Sequence, residues 1–231
     1  MPVRLPSSSS GPVADPLRQR RRRLAALAVL LPASSGLALW PRTSRAGAQQ
    51  YETLADSVRG ALASQIADSK PPIRRFESDA QRATYERWLA EMERRLSNRL
   101  PEKRNRTDLL QCLDYEALRA GLDRQMVLGL IQVESNFRKY AISDAGARGL
   151  MQVMPFWTAL VGDGNVRRLF EMRTNLRYGC VILRHYLDGE QGDLFRALGR
   201  YNGSVGQAAY PSAVYSAWKG YWSYSDGAGA R

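Results

Sequence analysis

The sequence predicts an all-α domain over residues 106–225, preceded over 49–105 by an N-terminal helical extension and linker. Three observations carry this. Apolar residues recur at helical spacing, as in Tyr85, Trp88, Leu89, Met92 and Leu96. No long run alternates as a half-buried strand does, and β-branched residues are sparse. Capping residues and glycines stand where the periodic segments begin and end.

Taken in order, Tyr51–Ala67 reads as a first helix, stopped by Pro71 and Pro72. Ser78-Asp79-Ala80-Gln81 is a capping-box signature for the helix that carries the Tyr85–Leu96 stripe. That stripe predicts docking on the main domain. Residues 101–106, short and charged with a proline, read as the linker. Thr107 is placed to cap the next helix and Gly121 to end it. A helix follows from Arg124 to Asn136, then a turn-rich loop marked by Gly146 and Gly149. Asn175–Leu187 and Asp193–Tyr201 are further helices. Pro211 at a first helical position opens a last one, carrying Val214, Tyr215, Trp218 and Tyr221.

The formal charge is +12, which on its own suggests nucleic acid or another anionic polymer. Its distribution says otherwise. Residues 1–48 hold eight arginines against the single acid Asp15, so seven of the twelve charges sit there. Arg18–Arg23, the apolar Leu24–Leu31 and the small-residue site Ala46-Gly47-Ala48 before Gln49 are the parts of a secretory signal peptide. Residues 1–48 are accordingly expected to direct export to the periplasm, an uncleaved membrane anchor being the alternative. Export would place Cys112 and Cys180 where pairing is chemically allowed, and the sequence leaves pairing open. Two cysteines and the lone His185 exclude a four-cysteine zinc site and any site that needs two histidines.

Glu134 is the most informative residue. It shares a helix face with Val127, Leu130 and Ile131, so a carboxyl closes an apolar stripe. Burial would raise its pKa and suit it to general-acid work. The pattern equally fits a structural glutamate paired with an arginine at the helix end. Within about 20 residues follow Ser143, Gly146, Gly149, Gln152 and Met154, a tract in which glycines let backbone approach a ligand. The Gln152 amide offers a donor and an acceptor, which suits an acetamido group. Tyr201-Asn202 adds a phenol and an amide at a helix end. His185, between Leu183 and Leu187, reads as a packing residue.

Four segments together resemble the soluble lytic transglycosylase (SLT) domain family. They are Val133-Glu134-Ser135-Asn136-Phe137, Gly149-Leu150-Met151-Gln152-Val153-Met154-Pro155, Asn175-Leu176-Arg177-Tyr178-Gly179 and Tyr201-Asn202-Gly203. They follow the family's order over roughly residues 108–222. The resemblance implies a goose-lysozyme-like helical fold and cleavage of peptidoglycan between N-acetylmuramic acid and N-acetylglucosamine. It implies Glu134 as sole acid/base, with Ser143, Gln152, Met154, Tyr201 and Asn202 binding the glycan. It further implies attack by the substrate's acetamido oxygen, then closure of a 1,6-anhydro ring as Glu134 takes the C6 hydroxyl proton, with no metal or cofactor.

Two departures stand out. Arg200 replaces the family's common alanine before Tyr-Asn. Near the C-terminus, Gln207-Ala208-Ala209-Tyr210-Pro211 stands where a Glu-Thr-x-x-Tyr-Val element is common, with Tyr210 as a substitute. The implied partner is the peptidoglycan glycan strand, with cell-envelope machinery a further candidate; nucleic acid is not expected, and the sequence does not set the oligomeric state. The alternatives are a goose-type hydrolase and an inactive wall-binding protein.

Overall fold

Helical spacing governs every regular element. The computed structural model describes Met1, residues 49–67 and residues 73–225, and residues 49–225 fall within one compact unit. The signal-peptide reading of 1–48 and the Pro71-Pro72 stop lie outside the described residues. Among the latter there are eight α-helices: α1 (Asp56–Ala67), α2 (Asp79–Leu96), α3 (Lys103–Arg119), α4 (Arg124–Ser135), α5 (Phe156–Val161), α6 (Met172–Gly189), α7 (Leu194–Asn202) and α8 (Ala209–Lys219). One 3-10 helix, Val166–Phe170, precedes α6. No strand occurs among the described residues; isolated bridges join Arg148 to Ile142 and Val153 in the loop after α4. The protein is all-α, as the periodicity predicts.

The core gathers around α4 and α6. Helix α4 packs most extensively on α8, and α6 packs on α1, α3 and α7. The α4–α8 approach depends on Gly129: a Cβ there would stand 2.9 Å from the Trp218 backbone nitrogen and 3.2 Å from the Val214 carbonyl. Trp88, Trp157, Trp222 and Tyr186 are among the largest buried side chains. The stripe on α2 docks as expected, with Tyr85, Trp88, Met92 and Leu96 buried and Leu89 packed at its margin.

Several helix ends differ from the sequence expectations. Helix α1 starts at Asp56, because Tyr51 and Glu52 are drawn to other partners: the Tyr51 ring meets Phe156 and Glu52 pairs with Arg200. Ser78 caps α2 by accepting from Gln81 N at 3.2 Å, but the Gln81 side-chain oxygen accepts from Glu77 N and not from Ser78 N. The stretch 101–106 is helical from Lys103 onward. Thr107 therefore lies inside α3, where its hydroxyl bonds Glu93 on α2 and does not cap. Gly121, at φ +63°, follows α3 as expected, and Leu122 N reaches back to Ala117 O in a Schellman-type closure. Pro211 sits third in α8, still in the first turn, where a missing N–H loses no helix bond. Helix α5 and the 3-10 turn were not expected from the sequence, being too short to show a period.

Buried charge ties Arg74 and α2 to α3 and α4. Asp114 on α3 accepts from Arg74 and from Arg124, each at 2.7 Å, and the Arg124 guanidinium lies 3.8 Å over the Trp88 ring. Glu116 meets Arg119, Arg173 and Arg177. Cys112 and Cys180 are separate thiols, half-buried and buried, and burial pushes the Cys112 thiol up to about 11. His185 packs among aromatic neighbours, its ring 5.5 Å from Tyr186 and 6.4 Å from Trp157.

Asp123 sets the start of α4, accepting from Gln125 N at 2.7 Å and Met126 N at 3.0 Å. Asp123→Ala is expected to lower unfolding stability by about 1–2 kcal/mol, the usual loss for a cap. Denaturant titration at neutral pH checks it.

Candidate active site

Glu134 occupies the last turn of α4 and is only 3% exposed. The apolar stripe carries it inward, and its helix must end at once for the chain to pass around it. Asn136 and Phe137 do this in left-handed conformations, φ 47° and 65°, unusual for an aromatic residue. Phe137 is held there by burial against Trp222, ring centroids 5.3 Å apart. Next to Glu134, the buried Ser135 hydroxyl donates to Leu150 O at 2.7 Å, tying the helix end to the loop that follows.

Among the described residues three acidic side chains are buried: Asp114, Glu116 and Glu134. The first two are clamped by arginines. Among the described residues no cation lies beside Glu134, which argues against the structural ion-pair reading. Its one polar partner is Tyr210 on α8, whose hydroxyl donates to Oε1 at 2.5 Å. Burial pushes the carboxyl up to about 8, opposed only by that hydrogen bond. A carboxyl so placed is protonated at neutral pH and can donate. Asp144, the nearest acid in sequence after it, is exposed.

The loop 149–154 is held from behind by Asn175 on α6. Its Oδ1 accepts from Met151 N at 2.8 Å, and its Nδ2 donates to Arg148 O and Leu169 O, each at 2.8 Å. Gly149, at φ +78°, is required by this clamp: a Cβ there would lie 2.4 Å from Asn175 Nδ2. Gln152 is buried at φ 48°, and its amide donates to Gly149 O and Ala141 O. Both amide hydrogens thus shape the loop, leaving Oε1 as the atom it can offer a ligand. The Ser143 hydroxyl accepts from Ala147 N at 3.1 Å and braces its own turn. Met154 is partly buried, and its backbone N–H points to Gln49 Oε1 at 3.2 Å.

Tyr201 and Asn202 end α7. Tyr201 is 1% exposed, donates to Met151 O at 2.7 Å, and lies close enough to Glu134 that its phenol is raised by that charge as well as by burial. Asn202 is buried with Nδ2 lacking a partner, an atom a bound ligand could satisfy. Glu134, Tyr201 and the 149–154 loop therefore meet around one site. Ser143 is turned into its own loop. A cavity of about 660 Å³ lies elsewhere, lined by Ile66, Asp163, Arg168, Arg177 and Tyr178 among others, and includes none of the predicted site residues.

Residues 111–217 match the family model for the transglycosylase SLT domain. This stretch is similar to SLT domains. Glu134, Ser143, Gln152, Met154, Tyr201, Asn202 and Tyr210 all fall within it. Membrane-bound lytic murein transglycosylase C of Haemophilus influenzae (strain ATCC 51907 / DSM 11121 / KW20 / Rd) is 35% identical over 105 residues, covering 39% of this chain and 29% of its own. The transglycosylase of Enterobacteria phage PRD1 is 37% identical over 95 residues, covering 41% of this chain and 34% of its own. A 37-residue stretch is 57% identical to membrane-bound lytic murein transglycosylase C of Mannheimia succiniciproducens, covering 16% of this chain and 10% of that protein. The chain thus spans no more than about a third of the length of these curated relatives. No solved structure matches it. Among the described residues no helix is long and apolar enough to cross a membrane.

Three residues around this site carry no assigned role in the sequence. Ser135 and Asn175 lie inside recognised motifs but act through backbone contacts that only the fold reveals. Gln49 lies outside the SLT match and was visible only as the residue after a small-residue site. Tyr210, read as a substitute for a missing element, is the residue that touches Glu134.

The Tyr210 bond yields a separable expectation. Its donor favours the charged carboxylate, so Tyr210→Phe should let the Glu134 pKa rise further. The alkaline limb of the rate profile should then move to higher pH. The rate itself should fall about tenfold to a hundredfold, as for loss of a hydrogen bond to a charged group. A pH–rate series on the variant checks both; a slower enzyme with an unmoved limb would reduce Tyr210 to packing.

Proposed function

We propose that the protein is a murein lytic transglycosylase, cleaving the β-1,4 bond between N-acetylmuramic acid and N-acetylglucosamine without water. The observation that carries this reading is the isolation of Glu134, a buried carboxyl with, among the described residues, no cation beside it and one phenol as partner. Ordinary retaining glycosidases need a second carboxylate about 5 Å away as nucleophile. The resemblance set out above implies instead the substrate's own acetamido group in that role, and the lone buried carboxyl is consistent with it.

In the first step Glu134 gives its proton to the glycosidic oxygen as the bond to the anomeric carbon breaks, while the acetamido oxygen attacks that carbon. The carboxylate left behind is stabilised by the Tyr210 hydroxyl. In the second step Glu134 takes the proton of the C6 hydroxyl, whose oxygen displaces the acetamido oxygen and closes the 1,6-anhydro ring. Glu134 ends protonated, as it began. Gln152 Oε1, the Met154 backbone, Tyr201 and Asn202 Nδ2 are the groups assigned to hold the sugars.

Export by residues 1–48 would place this activity in the periplasm, facing an acidic glycan-peptide mesh. Incubating the protein with purified sacculi and analysing soluble muropeptides by mass tests the proposal. Products with 1,6-anhydro ends are expected. Reducing ends would assign a hydrolase, and no release would assign a wall-binding protein.

A further inference from the structure

The chain preceding α1 enters the site just described. Residues 49–55 belong to no helix or strand and are fastened at three points to three different elements. The Gln49 side-chain carbonyl accepts from Met154 N at 3.2 Å. The Tyr51 ring stands edge-on to Phe156 of α5, centroids 5.6 Å apart. Glu52 meets Arg200 of α7 with both oxygens at 3.1 Å. Gln49 is the deepest of these, 3% exposed although it lies beyond the SLT match. Its carboxamide approaches the oxygen of the Tyr201 hydroxyl, whose hydrogen goes to Met151 O.

A primary carboxamide presents a carbonyl oxygen and N–H donors, the same groups as the acetamido substituent of an N-acetylated sugar. Gln49 places them against Met154 and Tyr201, two residues assigned above to the glycan. The fit is loose, because Gln49 Nε2 is buried and its approach to the Tyr201 oxygen falls short of good hydrogen-bond geometry. A buried donor so poorly paired favours release to water. The fastening by Glu52 is a half-exposed ion pair and so holds weakly. Arg200, the departure from the family's common alanine, is the residue that makes this pair.

We infer that residues 49–54 form an intramolecular competitor, with Gln49 occupying an acetamido position that an N-acetylated glycan must take for itself. This rests on the proposed transglycosylase reading, since only a glycan-cleaving site makes that position a substrate position. Gln49 must swing out before an N-acetylated sugar takes that position. Apparent affinity is then reduced by the fraction of molecules with the strap released.

The test uses the full chain carrying Glu134→Gln, with and without Gln49→Ala. Binding of the N-acetylglucosamine tetramer and of the glucosamine tetramer is measured by calorimetry. With the strap released in about a tenth to a fifth of molecules, the Gln49→Ala chain should bind the acetylated tetramer about five- to tenfold more tightly. The deacetylated tetramer should show no such gain. Glu52→Ala, which loosens the strap away from the pocket, should shift binding in the same direction. Equal or weaker binding of the acetylated tetramer on removal of Gln49, an equal gain for both tetramers, or no binding to any chain would overturn the inference. Anhydro-muropeptide release by the unmodified chain reports separately on the functional reading.

Discussion

Glu134→Gln should abolish release from sacculi, lowering the rate about a thousandfold or more, while leaving the fold intact. Glutamine keeps the shape and can still accept from Tyr210, but it has no proton to give the leaving oxygen. The same substitution should change stability in a way that only a buried, unpaired carboxyl explains. Burial raises the folded-state pKa of Glu134 from 4.5 to about 8. The folded state therefore binds the proton more tightly than the unfolded state. That contribution is fully present below about pH 4.5 and is lost as pH rises toward about 8. The glutamine variant lacks this loss and should gain stability relative to the parent between those values, the gain levelling off above about 8. Denaturant midpoints taken at acid, neutral and alkaline pH read it directly. Activity of the parent should follow the protonated form, with kcat/KM falling on the alkaline side near the same pH. A parallel stability profile for parent and variant would show that Glu134 is solvated or paired in solution.

Asn175→Leu should be nearly as damaging although Asn175 lies behind the loop and is not assigned to the glycan. All three of its hydrogen bonds go to backbone groups of the loop segments around Gly149 and Leu169. Leucine would leave Met151 N–H and the Leu169 carbonyl without partners in a buried setting, while the Arg148 carbonyl keeps its bond from Val153 N. At about 1–3 kcal/mol for each buried group left unpaired, a loss of about 4 kcal/mol is expected. The loop carries Gln152 and Met154, and the Met151 carbonyl receives the Tyr201 hydroxyl, so activity should fall even where the variant remains folded. Thermal unfolding and sacculus assays on one preparation separate the two effects. A variant of parental stability would mean that the clamp is dispensable.

The helices were legible in the sequence because apolar spacing reports which face is buried, and Glu134 was legible for the same reason. A carboxyl in register with Val127, Leu130 and Ile131 has to enter the core, whatever the fold. Its electrostatic surroundings were not legible. Whether a buried glutamate meets an arginine or a phenol depends on α8, 76 residues further on, and no local pattern records that contact. Helix ends failed for a related reason. Thr107 has the chemistry of a cap, but its hydroxyl is taken by Glu93 from α2, so tertiary contact overrides local preference. Gln152 was expected to offer a donor and an acceptor, and its donors are consumed by its own loop. The path of residues 49–55 is set by Phe156, Met154 and Arg200, each about 100 or more residues away, and nothing in their own sequence announces it.

The choice between a ring-closing and a water-consuming reaction can be read from one atom. Sacculi digested in heavy-oxygen water should yield muropeptides whose new muramic ends carry no label, because the C6 oxygen of the same sugar closes the ring. Heavy oxygen at the anomeric carbon of the released ends would show that water attacks there, and would contradict a mechanism in which Glu134 serves the substrate's own hydroxyl.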